Sequence, residues 1–192
     1  MATAPRTSPA VPTWCRFYGD VPPSLVYPET SLYEAVRVTA ARLPDAVACE
    51  FLGATMTYRE LVRGIERTAA ALAELGLRAG DRLLIVMPTS PQAVLAYYAA
   101  NAIGAVAALV HPLSTAVEIE GYARDSGARI ALTLDALYDR CRMALDSGAL
   151  ETLVLTSLGD ALPRLRRIGF WLARGRRTPR VPPNPRVRRW AD

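Results

Sequence analysis

The 192 residues are enough to bury a core, and 51% apolar with 21% charged residues is globular composition. The formal net charge of +5 is uneven: residues 1–161 hold 13 Arg against 17 Asp and Glu, a net of −4, whereas residues 162–192 hold 10 Arg against one Asp, a net of +9. All 23 basic residues are Arg, and the lack of Lys excludes a Lys nucleophile, a Schiff base and any phosphate loop built on Gly-Lys-Ser/Thr.

Residues 1 to about 28 are rich in Pro and small residues, which predicts a poorly ordered or extended arm with Trp14, Phe17 and Tyr18 as candidate anchors. The opening MATAPRTSPAVPTW lacks the apolar core of a signal peptide, so a cytoplasmic location is the default expectation. Cys15, Cys49 and Cys141 are odd in number and widely spaced, and they read as free thiols in a reducing compartment. His111 is the sole histidine, which excludes a metal cluster built on imidazoles and a Ser/His/Asp triad elsewhere in the chain.

Thr30 or Ser31 can cap a helix running to about Arg42, closed by Leu43-Pro44. Ala46 to Phe51 and Thr55 to Thr57, around Leu52-Gly53-Ala54, predict a β-hairpin. Thr57 with Glu60 has capping-box spacing, and Leu61, Ile65, Ala69, Leu72 and Leu75 recur at helical spacing until Gly76. Arg82 to Met87 is a short apolar run ended by Pro88. Ser90 then caps a helix that begins at Pro91, where a missing N–H costs nothing, and ends at Gly104. Ala105 to Val110 is a second apolar run, stopped by His111-Pro112, and Thr115 with Glu118 is a second capping box for a helix ending at Gly127. Arg129 to Thr133 is a third strand, Asp135 opens a helix to about Asp146, and Gly148 turns the chain into a fourth strand, Thr152 to Thr156.

The four strands begin near residues 82, 105, 129 and 152, at spacings of 23, 24 and 23. Helices joining strands at that spacing are what parallel pairing requires, so the fold class is α/β: a parallel-type sheet with crossover helices, preceded by a β-hairpin. Residues 83–117 carry no formal charge, and a membrane span of about 20 residues fits there by length. Pro88, Pro91, Asn101, Gly104 and Pro112 interrupt the run, which favours a buried strand-helix-strand unit.

Ligands of such sheets tend to lie beyond the carboxyl ends of the strands, here the loops at Pro88 to Ser90, His111 to Thr115, Leu134-Asp135 and Thr156 to Asp160. Pro88-Thr89-Ser90-Pro91 has neither Gly nor Lys and reads as a helix cap rather than a phosphate loop. His111, Ser114 and Thr115 form the most polar of these loops and are the candidate residues near a substrate, although a lone His beside Pro is more often a turn residue than a catalyst. Asp125, Asp135 and Asp139 fit helix ends and a solvated face better than a metal set.

After residue 161, LPRLRRIGFWLARGRR predicts a short amphipathic helix, and the prolines of TPRVPPNPRVRRW argue against regular structure. A solvated linker is the leading reading of residues 162–192. Phe170 and Trp171 among the arginines favour an anionic membrane surface over nucleic acid as the next.

Thr57-Tyr58-Arg59-Glu60-Leu61, Leu75-Gly76-Leu77, Gly80-Asp81-Arg82, Gly104-Ala105-Val106, His111-Pro112-Leu113-Ser114-Thr115 with Glu118-Ile119, and Asp125-Ser126-Gly127-Ala128 occur in this order. Together they resemble the N-terminal part of the AMP-forming adenylate synthetase superfamily, specifically its fatty acyl-CoA ligases. The resemblance covers roughly residues 30–160, and Pro179-Arg180 to Trp190 is similar to the segment that precedes the nucleotide-binding core of those ligases. It implies three parts: an extended arm at 1–28, a partial N-terminal domain of the adenylate-forming fold at 29–160, and an Arg/Pro-rich tail or linker at 161–192.

In that family a carboxylate attacks ATP to give an acyl-adenylate and pyrophosphate, and coenzyme A then displaces AMP. ATP, Mg²⁺ and coenzyme A are therefore implied for a complete family enzyme. The family's Ser/Thr/Gly-rich phosphate loop ending in Pro-Lys-Gly, its aromatic-x-x-Thr-Glu segment, its ribose Asp and its C-terminal Lys have no counterpart here. No catalytic, ATP-binding or metal residue is carried over, and no cofactor is expected to bind this chain alone. The expectation is an N-terminal fragment of a fatty acyl-CoA ligase, inactive alone: either a truncated gene product or a piece whose remainder is a separate chain and its partner. The alternative is a non-catalytic partner-binding module whose Arg/Trp tail, residues 162–192, meets an anionic membrane peripherally; nucleic acid is not favoured.

Overall fold

The computed structural model describes residues 12–162 and 181–190. Contacts divide the chain between Thr30 and Ser31. Within the first unit, Thr13–Phe17 forms a 3₁₀ turn inside the arm expected to be extended, and the Arg16 guanidinium lies 4.7 Å from the Phe17 ring centre. The short helix expected within 162–177 lies, from residue 163 onward, outside the described residues, as do Phe170 and Trp171.

The second unit opens with α1 (Leu32–Arg42), whose N-terminus is capped by Ser31 accepting from the Glu34 N–H at 3.1 Å. An antiparallel hairpin follows, β1 (Val47–Phe51) and β2 (Ala54–Thr57). It leads into α2 (Tyr58–Glu74) through a complete capping box in which Thr57 and Glu60 satisfy each other's backbone N–H. The central unit then alternates: β3 (Arg82–Val86), α3 (Pro91–Ile103), β4 (Val106–Val110), α4 (Ala116–Ser126), β5 (Ile130–Leu134), α5 (Tyr138–Asp146) and β6 (Thr152–Thr156). Gly104 and Gly127 end α3 and α4 with φ of 82° and 67°, the left-handed values for which a residue without Cβ is suited.

All four of the strands that alternate with helices pair in parallel, and the five-stranded sheet has the order β4-β3-β5-β6-β7. The fifth strand, β7 (Val187–Arg189), corrects the expectation that prolines exclude regular structure from this stretch. Val187-Arg188-Arg189 is a proline-free triplet beyond Pro185, so its N–H groups are free to join the ladder. Leu153 N–H donates to Arg186 O at 2.9 Å and Trp190 N–H to Leu155 O at 2.8 Å, which sets the register on β6.

Alternation along β3 divides the core. Leu83 and Ile85 point to one face and pack with α2 and α3; Leu84 and Val86 point to the other and pack with α4 and α5. Every residue of β5 is buried, as expected for a strand covered on both faces. On the first face α2 and α3 approach closely because Gly64 has no side chain: a Cβ there would lie 2.6 Å from Leu95 Cδ2. No helix among the described residues is long and apolar enough to cross a membrane, and the uncharged run 83–117 is resolved into β3, α3 and β4.

Candidate functional site

In this strand order the crossovers leave β3 and β5 toward opposite sides, which makes their carboxyl ends the topological switch point beside which ligands of such sheets bind. At that point Thr133, fully buried on β5, donates its hydroxyl to Val86 O at 2.7 Å. Gln92, in the first turn of α3 and 3% exposed, donates through Nε2 to Ser157 O at 3.0 Å and ties that helix to the loop after β6. Its Oε1 is buried without a hydrogen-bond partner. Beyond β6 the Asp160 carboxylate accepts from the Ser157 N–H at 2.9 Å and from the Thr156 hydroxyl at 3.3 Å. Burial pushes the Asp135 carboxyl above its usual range, opposed first by its hydrogen bond from the Ala136 N–H and then by attraction to Arg189. The two carboxylates thus organise the 3₁₀ turns Asp135–Leu137 and Leu158–Ala161 at the ends of β5 and β6.

The loop after β4 holds the three sequence candidates, and each has a backbone task. His111 Nδ1 accepts from the Leu113 N–H at 3.2 Å while its carbonyl accepts from the Ser114 N–H at 3.0 Å, which folds the turn. The carbonyls of Pro112 and Ser114 accept from Arg140 of α5, at 3.1 and 3.4 Å. Thr115 caps α4, and the Glu118 carboxylate returns to the Thr115 N–H at 2.7 Å; that backbone hydrogen bond is the main cause of its lowered pKa. Replacing Thr115 by alanine removes the cap, and a loss of about 1 kcal/mol in urea-unfolding free energy is expected. No change would show that Glu118 alone satisfies this helix end.

An apolar cleft of ≈ 270 Å³ lies on the α3 side of the sheet, lined by Met87, Val94, Tyr97, Tyr98 and Leu109 with Thr89 as a polar member. Tyr97 and Tyr98 meet edge to face with ring centres 5.3 Å apart. Sequence reasoning missed this cleft. Its one local signal was a pair of tyrosines in an otherwise small, uncharged helix.

The N-terminus of α3 is not a phosphate cradle. The first residue of α3 is Pro91, which has no N–H, and the Ala93 N–H is already directed to Ser90 Oγ at 3.3 Å. Among the described residues no group of three or more His, Cys, Asp or Glu is placed to hold a metal ion. What this arrangement does chemically is to fix strand ends and loops: it positions, and it presents an apolar cleft.

The same sheet and crossovers occur within part of solved CoA ligases. The benzoate CoA ligase of Burkholderia xenovorans LB400 superposes with a TM-score of 0.64 at 23% identity, covering 73% of this chain and 28% of that one. A long-chain-fatty-acid-CoA ligase from Archaeoglobus fulgidus gives 0.64 at 22% identity, with 72% and 30% covered. In sequence, the long-chain-fatty-acid–CoA ligase of Bacillus subtilis is 30% identical over 152 residues, 79% of this chain and 27% of its own length. Residues 36–181 match the family described as AMP-binding enzyme, and the chain belongs to that family. It spans about a quarter of the length of the curated relatives it matches. Complete members of the family depend on ATP and coenzyme A.

Proposed function

We propose that this chain serves as the N-terminal portion of a fatty acyl-CoA ligase and does not form an acyl-adenylate by itself. The observation that carries the first half is the 152-residue match to the Bacillus subtilis long-chain-fatty-acid–CoA ligase. The second half is supported by the helix terminus at Pro91, which offers no phosphate cradle, and by the lack of any lysine to neutralise charge developing on ATP. In this reading the α/β layers supply a rigid platform, and the remainder of the fold supplies the nucleotide site.

The test is release of pyrophosphate from Mg-ATP with octanoate or palmitate as acid. With the purified chain alone the rate is expected to equal the protein-free blank. Sustained pyrophosphate release that depends on the fatty acid would overturn the claim of inactivity.

A further inference from the structure

The sheet ends on one side at β4 and on the other at β7, and among the described residues each pairs with a single strand. The ladder fixes which main-chain groups of β4 are left over. Val106 N–H donates to Asp81 O at 2.8 Å, and in a parallel pair every second residue turns both its N–H and its C=O to the neighbour. Val106, Ala108 and Val110 therefore face β3, while Ala107 and Leu109 direct N–H and C=O away from it. Side chains alternate between the two faces in the same phase: Ala108 and Val110 pack with the α4 and α5 side of the core, whereas Ala107 packs with the α2 and α3 side and Leu109 borders the cleft there.

We infer that two copies of this chain pair through β4, antiparallel about a two-fold axis at Ala108; the inference does not rest on the ligase reading. The main chain selects this register. Ala107 of one copy lies opposite Leu109 of the other, and every outward N–H and C=O of the two residues finds a partner across the axis. An axis at Ala107 would call on the Ala105 N–H, which already donates to Ala100 O at 2.8 Å; one at Leu109 would call on the His111 carbonyl, which already accepts from the Ser114 N–H at 3.0 Å. The side chains agree with it. Small Ala107 faces large Leu109 on one side of the sheet, and on the other Ala108 meets its own counterpart where paired strands come closest, about 4.5 Å between Cα atoms. Near a two-fold axis each charge meets its own copy, and residues 83–117 carry no formal charge, so β4, α3 and the loop after β4 bring no like-charge repulsion to the contact. At β7 the exposed Arg188 and Arg189 would face their own copies, which discourages pairing at that edge. Pairing through β4 alone is closed and stops at two copies.

Sedimentation of the full chain over a concentration series, read together with amide hydrogen exchange, tests the pairing. A monomer–dimer equilibrium with a dissociation constant of about 10–100 μM is expected of a small contact made largely by main-chain bonds. On dimerisation, exchange should slow about tenfold at Ala107 and Leu109, while Ala108 and Val110, already turned to β3, change little. Leu109→Pro removes an outward N–H and leaves the ladder to β3 complete, a substitution that an edge strand accommodates. It should weaken the dimer at least about tenfold. Leu109→Ala keeps the N–H and should weaken the dimer less.

A chain that stays monomeric throughout overturns the inference, and so does assembly beyond the dimer, which a closed two-fold pair forbids. Slow exchange at Ala107 and Leu109 that persists at the lowest concentration overturns it as well, because a segment of the same polypeptide would then cover the edge. Equal loss from Leu109→Pro and Leu109→Ala assigns the dimer to side-chain contact and overturns strand pairing. If Leu109→Pro fails to fold, the wild-type exchange pattern decides: slowing at the two outward positions on dimerisation supports the pairing, and slowing elsewhere overturns it.

Discussion

Leu132→Ala should lower the unfolding free energy by about 2–5 kcal/mol, whereas Leu109→Ala should change it by less than about 0.5 kcal/mol. Both residues are leucines on strands of one sheet, so chemistry is held constant and only position differs. Leu132 is 1% exposed at the middle of β5, where it pairs with Ile85 on one side and Val154 on the other. Truncation there leaves a cavity between two ladders and beneath α3, and neighbouring strands cannot collapse to fill it without disturbing two registers. Single domains of this size are stable by only about 5–15 kcal/mol, so Leu132→Ala should remove a large part of the total. Urea-unfolding midpoints followed by far-ultraviolet circular dichroism measure both variants. If Leu109→Ala proved as destabilising as Leu132→Ala, the Leu109 side chain would be part of the core of the free chain.

The helix boundaries were legible because capping is local chemistry. Ser31, Thr57, Ser90 and Thr115 each sit next to the residues whose N–H groups they satisfy, so a four-residue window contains the whole interaction. Parallel pairing was legible from the repeat of about two dozen residues between strands. The order of the strands was not, because nothing in the residues of β4 states that it lies on the far side of β3 from β5. β7 was missed for a related reason: the prolines around it argue against structure locally, and its partner β6 lies more than thirty residues earlier, so the ladder that overrides them is invisible in a short window. For the candidate site, the sequence placed His111, Ser114 and Thr115 at a carboxyl-end loop. The hydrogen bonds that occupy them there depend on turn geometry and, for the carbonyls of Pro112 and Ser114, on Arg140 of a later helix. The apolar cleft depends on how α3 lies across β3 and β4, a tertiary fact with no signature in spacing.

Alkaline unfolding should expose the second large effect, through Cys141. This thiol is fully buried on α5 against the second face of the sheet, and burial pushes its pKa from an ordinary 9.0 up to about 11, with opposing contributions from a hydrogen bond with Thr133 and the charge of Arg140. The folded chain therefore keeps the proton through a range in which the unfolded chain releases it. Stability from this group is fully present below pH 9 and is lost as the pH rises toward 11, by about 2–3 kcal/mol if the whole interval is traversed. Burial shifts the half-buried Cys49 in the same direction, so the wild-type slope contains both thiols. Cys141→Ala removes the thiol with the greater effect: the variant starts from a lower stability because a small core volume is lost, but its unfolding free energy should fall less steeply between pH 8.5 and 11. Parallel slopes for the two proteins would mean that the thiol is not held neutral by the fold. Thiol alkylation at pH 8 supplies an independent reading, in which Cys141 should react only after urea unfolds the chain. An inert Cys141 is what a packing role demands: it fills the space between α5 and β5 without presenting a nucleophile to the surface.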